Sequence, residues 1–249
     1  PTATPEPEAA PAWAPELVFR LDHGEIVYSV AFSPDGRLVA SGVSSEARLW
    51  DVTDGGLVRT IEYRHTVDDL AFSPDGALLG AGQGLYGVIL SQVADGINLR
   101  QLHGGYNNWL AFAPDGETVA TGNRTGVVWL WQIEDGEQLA ELEPPGDASW
   151  VTALAYSPDG QILASGHWDG TVYLWNVSDG SLLHTLEKQT DYSKASGLAF
   201  SPDGQLLAVA GARHERDDVV RLWQVADGTI FKDLPMAHEA KDVAFSPNG

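Results

Sequence analysis

The chain has 249 residues, 43% of them hydrophobic, with nine Trp, 35 acidic against 14 basic residues, and no cysteine. A net charge of −21 repels phosphate backbones and anionic lipid and argues against nucleic-acid or membrane-surface binding. The lack of cysteine excludes disulfides, thiolate metal sites and cysteine nucleophiles, and no apolar run approaches the roughly 20 residues of a membrane-spanning helix.

Residues 1–16, PTATPEPEAAPAWAPE, are of a separate kind. Pro1, Pro5, Pro7, Pro11 and Pro15, interleaved with Ala, Thr and Glu, suit an extended, semi-rigid linker and cannot form a core or a sheet ladder. Such a linker implies an anchor or a further domain upstream.

From residue 17 to 249 the chain repeats itself. FSPDG begins at Phe32, Phe72 and Phe200, FAPDG at Phe112, YSPDG at Tyr156 and FSPNG at Phe245, at intervals of 40, 40, 44, 44 and 45 residues. One structural unit per interval is expected, too small to bury its apolar surface without neighbours. Leu17–Leu21 (LVFRL) reads as an isolated last strand of a unit. Complete units follow over Val27–Ile61, Val67–Leu102, Asn107–Leu142, Val151–Leu186 and Ser196–Leu234, and Lys241–Phe245 (KDVAF) reads as an isolated first strand.

The fourth unit shows the pattern best. VTALAY (Val151–Tyr156), ILASG (Ile162–Gly166), TVYLWNV (Thr171–Val177) and LLHTL (Leu182–Leu186) are short runs, the third rich in β-branched and aromatic residues, separated by SPDG, HWDG and SDG turns. They predict four antiparallel strands. The fold expected is all-β: a propeller of four-stranded antiparallel blades, five complete and parts of a sixth, a fragment of a longer propeller truncated at the C-terminus.

The order VxxLAFSPDGxxLASGxxDGTVxLWxVxDGxxLxTL resembles the WD-repeat β-propeller family over residues 17–249. The dipeptide that names the family is intact once, at Trp50-Asp51; elsewhere it is Trp131-Gln132, Trp175-Asn176, Trp223-Gln224 and Ser91-Gln92. The resemblance implies a scaffold, and a hydrogen-bonded set of His, Ser, Asp and Trp inside a blade. Here the fourth unit offers Ser165, Asp169 and Trp175, with Asp147 where the His would be. The first offers His23, Ser41 and Trp50 and lacks the turn Asp. No unit has all four, so these are read as structural polar pegs, with apolar packing holding the blades together.

Strand alternation sorts the loops into two faces. Turns joining strands one to two and three to four share one face, where PDG and DG recur almost unchanged. That face is acidic and carries only Arg37 among its turns. Turns joining strands two to three, and the connections between units, share the other face, which holds nearly all the length variation. Tyr106, Arg124, Trp150, Trp168, Tyr192 and Arg213 fall there. Loops on a rigid scaffold concentrate binding residues, and aromatic-plus-Arg groups are common anchors. Those six are the candidate partner-binding residues.

No G-x-S-x-G, H-E-x-x-H, P-loop or calcium-loop spacing occurs, and the seven His are scattered without ligand spacing. The expected function is therefore a non-catalytic protein- or peptide-binding scaffold that needs no cofactor or metal. The alternatives are a passive appended or sensory domain of an exported lipoprotein or signalling kinase and, last, a propeller enzyme. An extracytoplasmic bacterial setting is favoured over a cytoplasmic one; the linker resembles tethers of exported propellers and equally those that join a signalling kinase to a propeller.

Overall fold

A computed structural model describes residues 17–103, 105–146, 149–187, 194–212, 219–236, 238 and 240–249. Its twenty strands form five separate four-stranded antiparallel sheets, each paired in sequence order. Blade 1 holds β1 (Ser29–Phe32), β2 (Leu38–Gly42), β3 (Glu46–Asp51) and β4 (Leu57–Glu62). Blade 2 holds β5 (Asp69–Phe72), β6 (Leu78–Gly82), β7 (Val88–Gln92) and β8 (Asn98–Leu102), and blade 3 holds β9 (Asn107–Phe112), β10 (Thr118–Asn123), β11 (Val128–Gln132) and β12 (Gln138–Leu142). Blade 4 is β13 (Val151–Tyr156), β14 (Ile162–His167), β15 (Val172–Asn176) and β16 (Leu182–Leu186). Blade 5 is β17 (Lys194–Phe200), β18 (Leu206–Ala212), β19 (Val219–Gln224) and β20 (Ile230–Pro235).

The first strands β1, β5, β9, β13 and β17 lie side by side in that order and line a channel of about 710 Å³. This radial order is that of a propeller, as the repeat predicts.

The repeated turns are built from hydrogen bonds their sequences dictate. In blade 1 the Ser33 hydroxyl donates to Asp35 Oδ1 at 2.7 Å and accepts from the Leu38 N–H at 2.9 Å, while Asp35 Oδ1 also takes the Arg37 N–H. The same set recurs at Ser73/Asp75, Ser157/Asp159 and Ser201/Asp203. Blade 3 has Ala113 and does without the hydroxyl. In the DG turns, the Gly N–H bonds the carbonyl four residues back, as from Gly55 to Asp51 at 2.8 Å and from Gly180 to Asn176 at 2.9 Å. Those glycines sit at φ between 68° and 78°, a conformation that disfavours any residue with a Cβ. Trp50, Trp131, Trp175 and Trp223 each begin the bulge beside that turn, and each stands five residues before its glycine.

Packing between blades is apolar and tight. Leu79, Leu163 and Leu207, all in second strands, are fully buried, as are Leu49, Leu90 and Leu174 in third strands. Val30 and Phe32 of β1 are about two-thirds exposed, whereas Leu70 and Phe72, their equivalents in β5, are 5% and 9% exposed. No described sheet packs on that face of blade 1.

Leu17–Leu21 and Lys241–Phe245, expected as strands, form none. They still lie where a neighbouring blade would place them. The Phe19 ring abuts Gly55, just as Arg59 of β4 abuts Gly96 and Leu142 of β12 abuts Gly180. Ser196 Oγ donates to Ala240 O at 3.0 Å, as Thr152 Oγ1 does to Ala195 O at 2.6 Å. Position is set by packing against one blade, while a ladder needs a paired strand, and the described residues supply none.

Candidate functional site: an aromatic and cationic cluster at the channel mouth

Four of the six candidate binding residues are described, and the fold brings them together. Arg124, in the turn after β10, holds its guanidinium 5.0 Å from the Trp150 ring centre, and its N–H reaches the carbonyl of Tyr106 at 3.3 Å. Trp150 precedes β13, Trp168 follows β14, and a hydrogen bond from Trp168 N to Trp150 O (2.8 Å) brings their two loops together. Their rings lie 5.7 Å apart at 50°. Tyr106, Trp150 and Trp168 are each about half exposed, an unusual state for large aromatic groups that could pack inward. Tyr192 and Arg213 lie outside the described residues.

Two members escaped the sequence reading. Lys194, the first residue of β17, places its ammonium 5.3 Å from the Trp168 ring and 5.8 Å from that of Trp109 in β9. Trp109 and Lys194 both line the channel, so the cluster runs from the outer loops of blades 3 and 4 to the channel mouth. Trp109 had a usable signal. It stands at the channel-facing place held by Ser29, Asp69, Ala153 and Gly197 in other units, where alternation puts it out of step with buried Leu110. Lys194 had none, because only the convergence of blades 3, 4 and 5 on the channel brings it there.

The cluster gathers two cations, Arg124 and Lys194, on a strongly acidic chain. Each cation over an aromatic face is worth about 0.5–2 kcal/mol depending on desolvation. Asp68, at the same mouth, has its carboxyl raised by burial, and the Arg124 charge opposes that shift. Deeper in the channel, Asp69 joins three blades. Its oxygens accept from Leu70 N and Leu110 N (2.9 and 3.0 Å) and face the Ser29 hydroxyl. Burial pushes Asp69 up to about 7 against these hydrogen bonds, with the Asp242 charge adding slightly to the rise.

Among the residues read as pegs, two networks form. Trp50 Nε1 donates to Ser41 Oγ (2.8 Å), which meets His23 Nε2 at 2.6 Å, and His23 Nδ1 faces the Leu21 carbonyl. Trp175 Nε1 donates to Ser165 Oγ (2.9 Å), which meets Nε2 of His167 at 3.1 Å, and His167 Nδ1 donates to Ser149 O at 2.7 Å. Asp169 is not part of this second network; its carboxylate accepts from Thr171 N inside its own turn. His167, from the end of β14, supplies the imidazole that the sequence pattern left unassigned, and Asp147 lies outside the described residues. Burial lowers the pKa of His167, so it is neutral at pH 7.

Among the described residues of the cluster, none pairs a nucleophile with a base. Among the described residues no three His, Asp or Glu side chains converge as metal ligands, and no helix is long and apolar enough to cross a membrane.

Comparison with known proteins fits the radial sheets. The family model described as WD domain, G-beta repeat matches residues 15–51, 136–176 and 180–224. Among solved structures, the β-propeller domain of Cps50 (Swd1) from Myceliophteria thermophila superposes with a TM-score of 0.78 at 16% identity, over 91% of this chain and 78% of that one. At that identity the likeness bears on fold alone. No curated protein matches the sequence.

Proposed function

We propose that this chain, a WD-repeat β-propeller, is a non-catalytic scaffold that captures a protein or peptide segment on the face carrying Tyr106, Arg124, Trp150 and Trp168. WD-repeat propellers are in general protein-interaction scaffolds, typically without enzymatic activity. The observation that carries the choice of face is the half-exposed Trp150–Trp168 pair, with Arg124 and Lys194 held over its rings. Aromatic area and fixed donors in one place supply both desolvation and orientation. Tyr192 and Arg213 join the proposal on sequence grounds.

The opposite face offers near-identical acidic turns at each blade, which gives little means of telling partners apart. A peptide is favoured over a nucleic acid because a chain of net charge −21 meets repulsion from every phosphate. The test is selection of peptides on the immobilised chain, followed by affinity measurement on Trp150→Ala and Trp168→Ala. Each variant should fold and lose about 30-fold or more in affinity, the equivalent of the roughly 2 kcal/mol typical of an aromatic anchor. Full affinity in both, with loss instead on Asp35→Lys and Asp75→Lys in the PDG turns, would put the site on the wrong face.

A further inference from the structure

Blade 2 departs from its neighbours at three linked places. Ser91 stands where Trp50, Trp131 and Trp175 stand in other blades, and Ala81 stands where Ser41, Thr121 and Ser165 receive their indole N–H. Tyr63, arriving from β4, fills part of the vacated space, with its hydroxyl 3.0 Å from Ser91 Oγ. The third departure is Gln83, just after β6.

At that same place blade 1 has Val43, fully buried. Blade 3 has Asn123, whose Oδ1 accepts from Thr125 N and Val127 N, and blade 4 has His167 with both ring nitrogens bonded. Gln83 is 2% exposed, and neither Nε2 nor Oε1 has a hydrogen-bond partner. An unpaired buried amide is destabilising, at a position where valine already serves. Gln83 forms part of the wall of a cleft of about 510 Å³ between blades 1 and 2. The His65 and Tyr86 rings stack in parallel there, 3.5 Å apart at 3°, and Arg64 stands at its edge.

We propose that this cleft binds a primary carboxamide, the side chain of an asparagine or glutamine on a partner segment. Gln83 carries an N–H donor and a carbonyl acceptor side by side, and another primary carboxamide meets both at once in a ring of two hydrogen bonds. A trans peptide group points its N–H and C=O in opposite directions and meets only one. A carboxylate brings acceptors alone. The stacked rings line the same cleft, and rotating Gln83 toward it breaks no side-chain hydrogen bond. This site shares no residue with the Trp150–Trp168 cluster and goes beyond the function proposed for it, so either can fail alone.

The experiment titrates the whole chain, ¹⁵N-labelled on glutamine side chains, with N-acetyl-asparagine methylamide and N-acetyl-glutamine methylamide. N-acetyl-leucine methylamide is the shape control. An amide probe should shift the Gln83 NH₂ resonances saturably and bind about tenfold or more tighter than the leucine probe. Gln83→Val, which copies Val43, and Gln83→Leu should keep or raise the thermal midpoint and lose that tenfold preference. Equal affinity for the leucine probe, no shift at Gln83 up to tens of millimolar probe (roughly the weakest binding worth the name), or unchanged binding in either folded variant overturns the proposal. So does a crystal structure in which a bound water holds the Gln83 amide and the amide probes do not displace it.

Discussion

Replacing Ser165 with alanine tests how much the buried polar networks hold. Ser165 is fully buried, and its oxygen takes the Trp175 indole N–H at 2.9 Å while facing His167 Nε2 at 3.1 Å. Without it two buried polar groups lose their partner, since Trp175 and His167 are themselves 2% and 0% exposed. Each such group costs about 1–3 kcal/mol, and the lost oxygen leaves too little room for water to replace it. The expected destabilisation is about 2–4 kcal/mol, read as a drop in midpoint of roughly 4–16 °C for a chain of this size. Ser41→Ala is the matched control: its His23 is half-buried and can turn to solvent, so the loss should be about half as large. Thermal and urea unfolding of both variants decide the matter. A change under about 0.5 kcal/mol for Ser165→Ala, the range of an ordinary surface substitution, refutes the reasoning, as does a larger loss for Ser41→Ala.

Gly122→Ala should destabilise by about 1–3 kcal/mol, because a Cβ there would lie 2.3 Å from Val151 Cγ1 and 2.7 Å from its Cβ, atoms too near the backbone of blade 4 to move freely; a neutral effect in denaturant melts would mean that the blades slide. Leu163→Ala, at a fully buried side chain between blades 3 and 4, should cost about 2–5 kcal/mol in the same assay. The pH profile carries a further prediction. Asp69, raised to about 7 when folded, keeps its proton between about pH 4 and 7 while the unfolded chain has lost it, so this group makes stability fall as pH rises through that window and level off above 7. His167, lowered from 6.5, acts in the opposite sense below 6.5, and the PDG aspartates Asp75 and Asp159, held low mainly by their serine hydroxyls, lose their contribution as pH falls below the ordinary carboxylate range. The difference between the native chain and Asp69→Ser, which copies Ser29, isolates the first effect; equal slopes from pH 4 to 7 in both chains would refute it.

What the sequence discloses and what it hides divide along a physical line. The SPDG and DG turns carry their geometry within five or six residues, as hydroxyl, carboxylate and backbone bonds among near neighbours, so twenty strands and the positions of Trp50, Trp131, Trp175 and Trp223 could be placed by counting. That Trp150, Trp168 and Arg124 share one face was legible for a different reason: strand alternation alone sends the loops that carry them to the same side. Lys194 meeting Trp109 and Trp168 depends on how three blades converge on the channel, and no local pattern encodes that. His167 was missed because a family pattern looks for its histidine upstream, where Ser149 supplies a carbonyl instead. In a repeat, residues shared by every unit report on what each blade needs in order to fold. Information about function is left to the residues that break the pattern at a stability cost, and Gln83 does so where its counterparts Val43, Asn123 and His167 are apolar or hydrogen-bonded. A departure that a blade's own packing does not explain therefore points outside the blade, toward something that binds it.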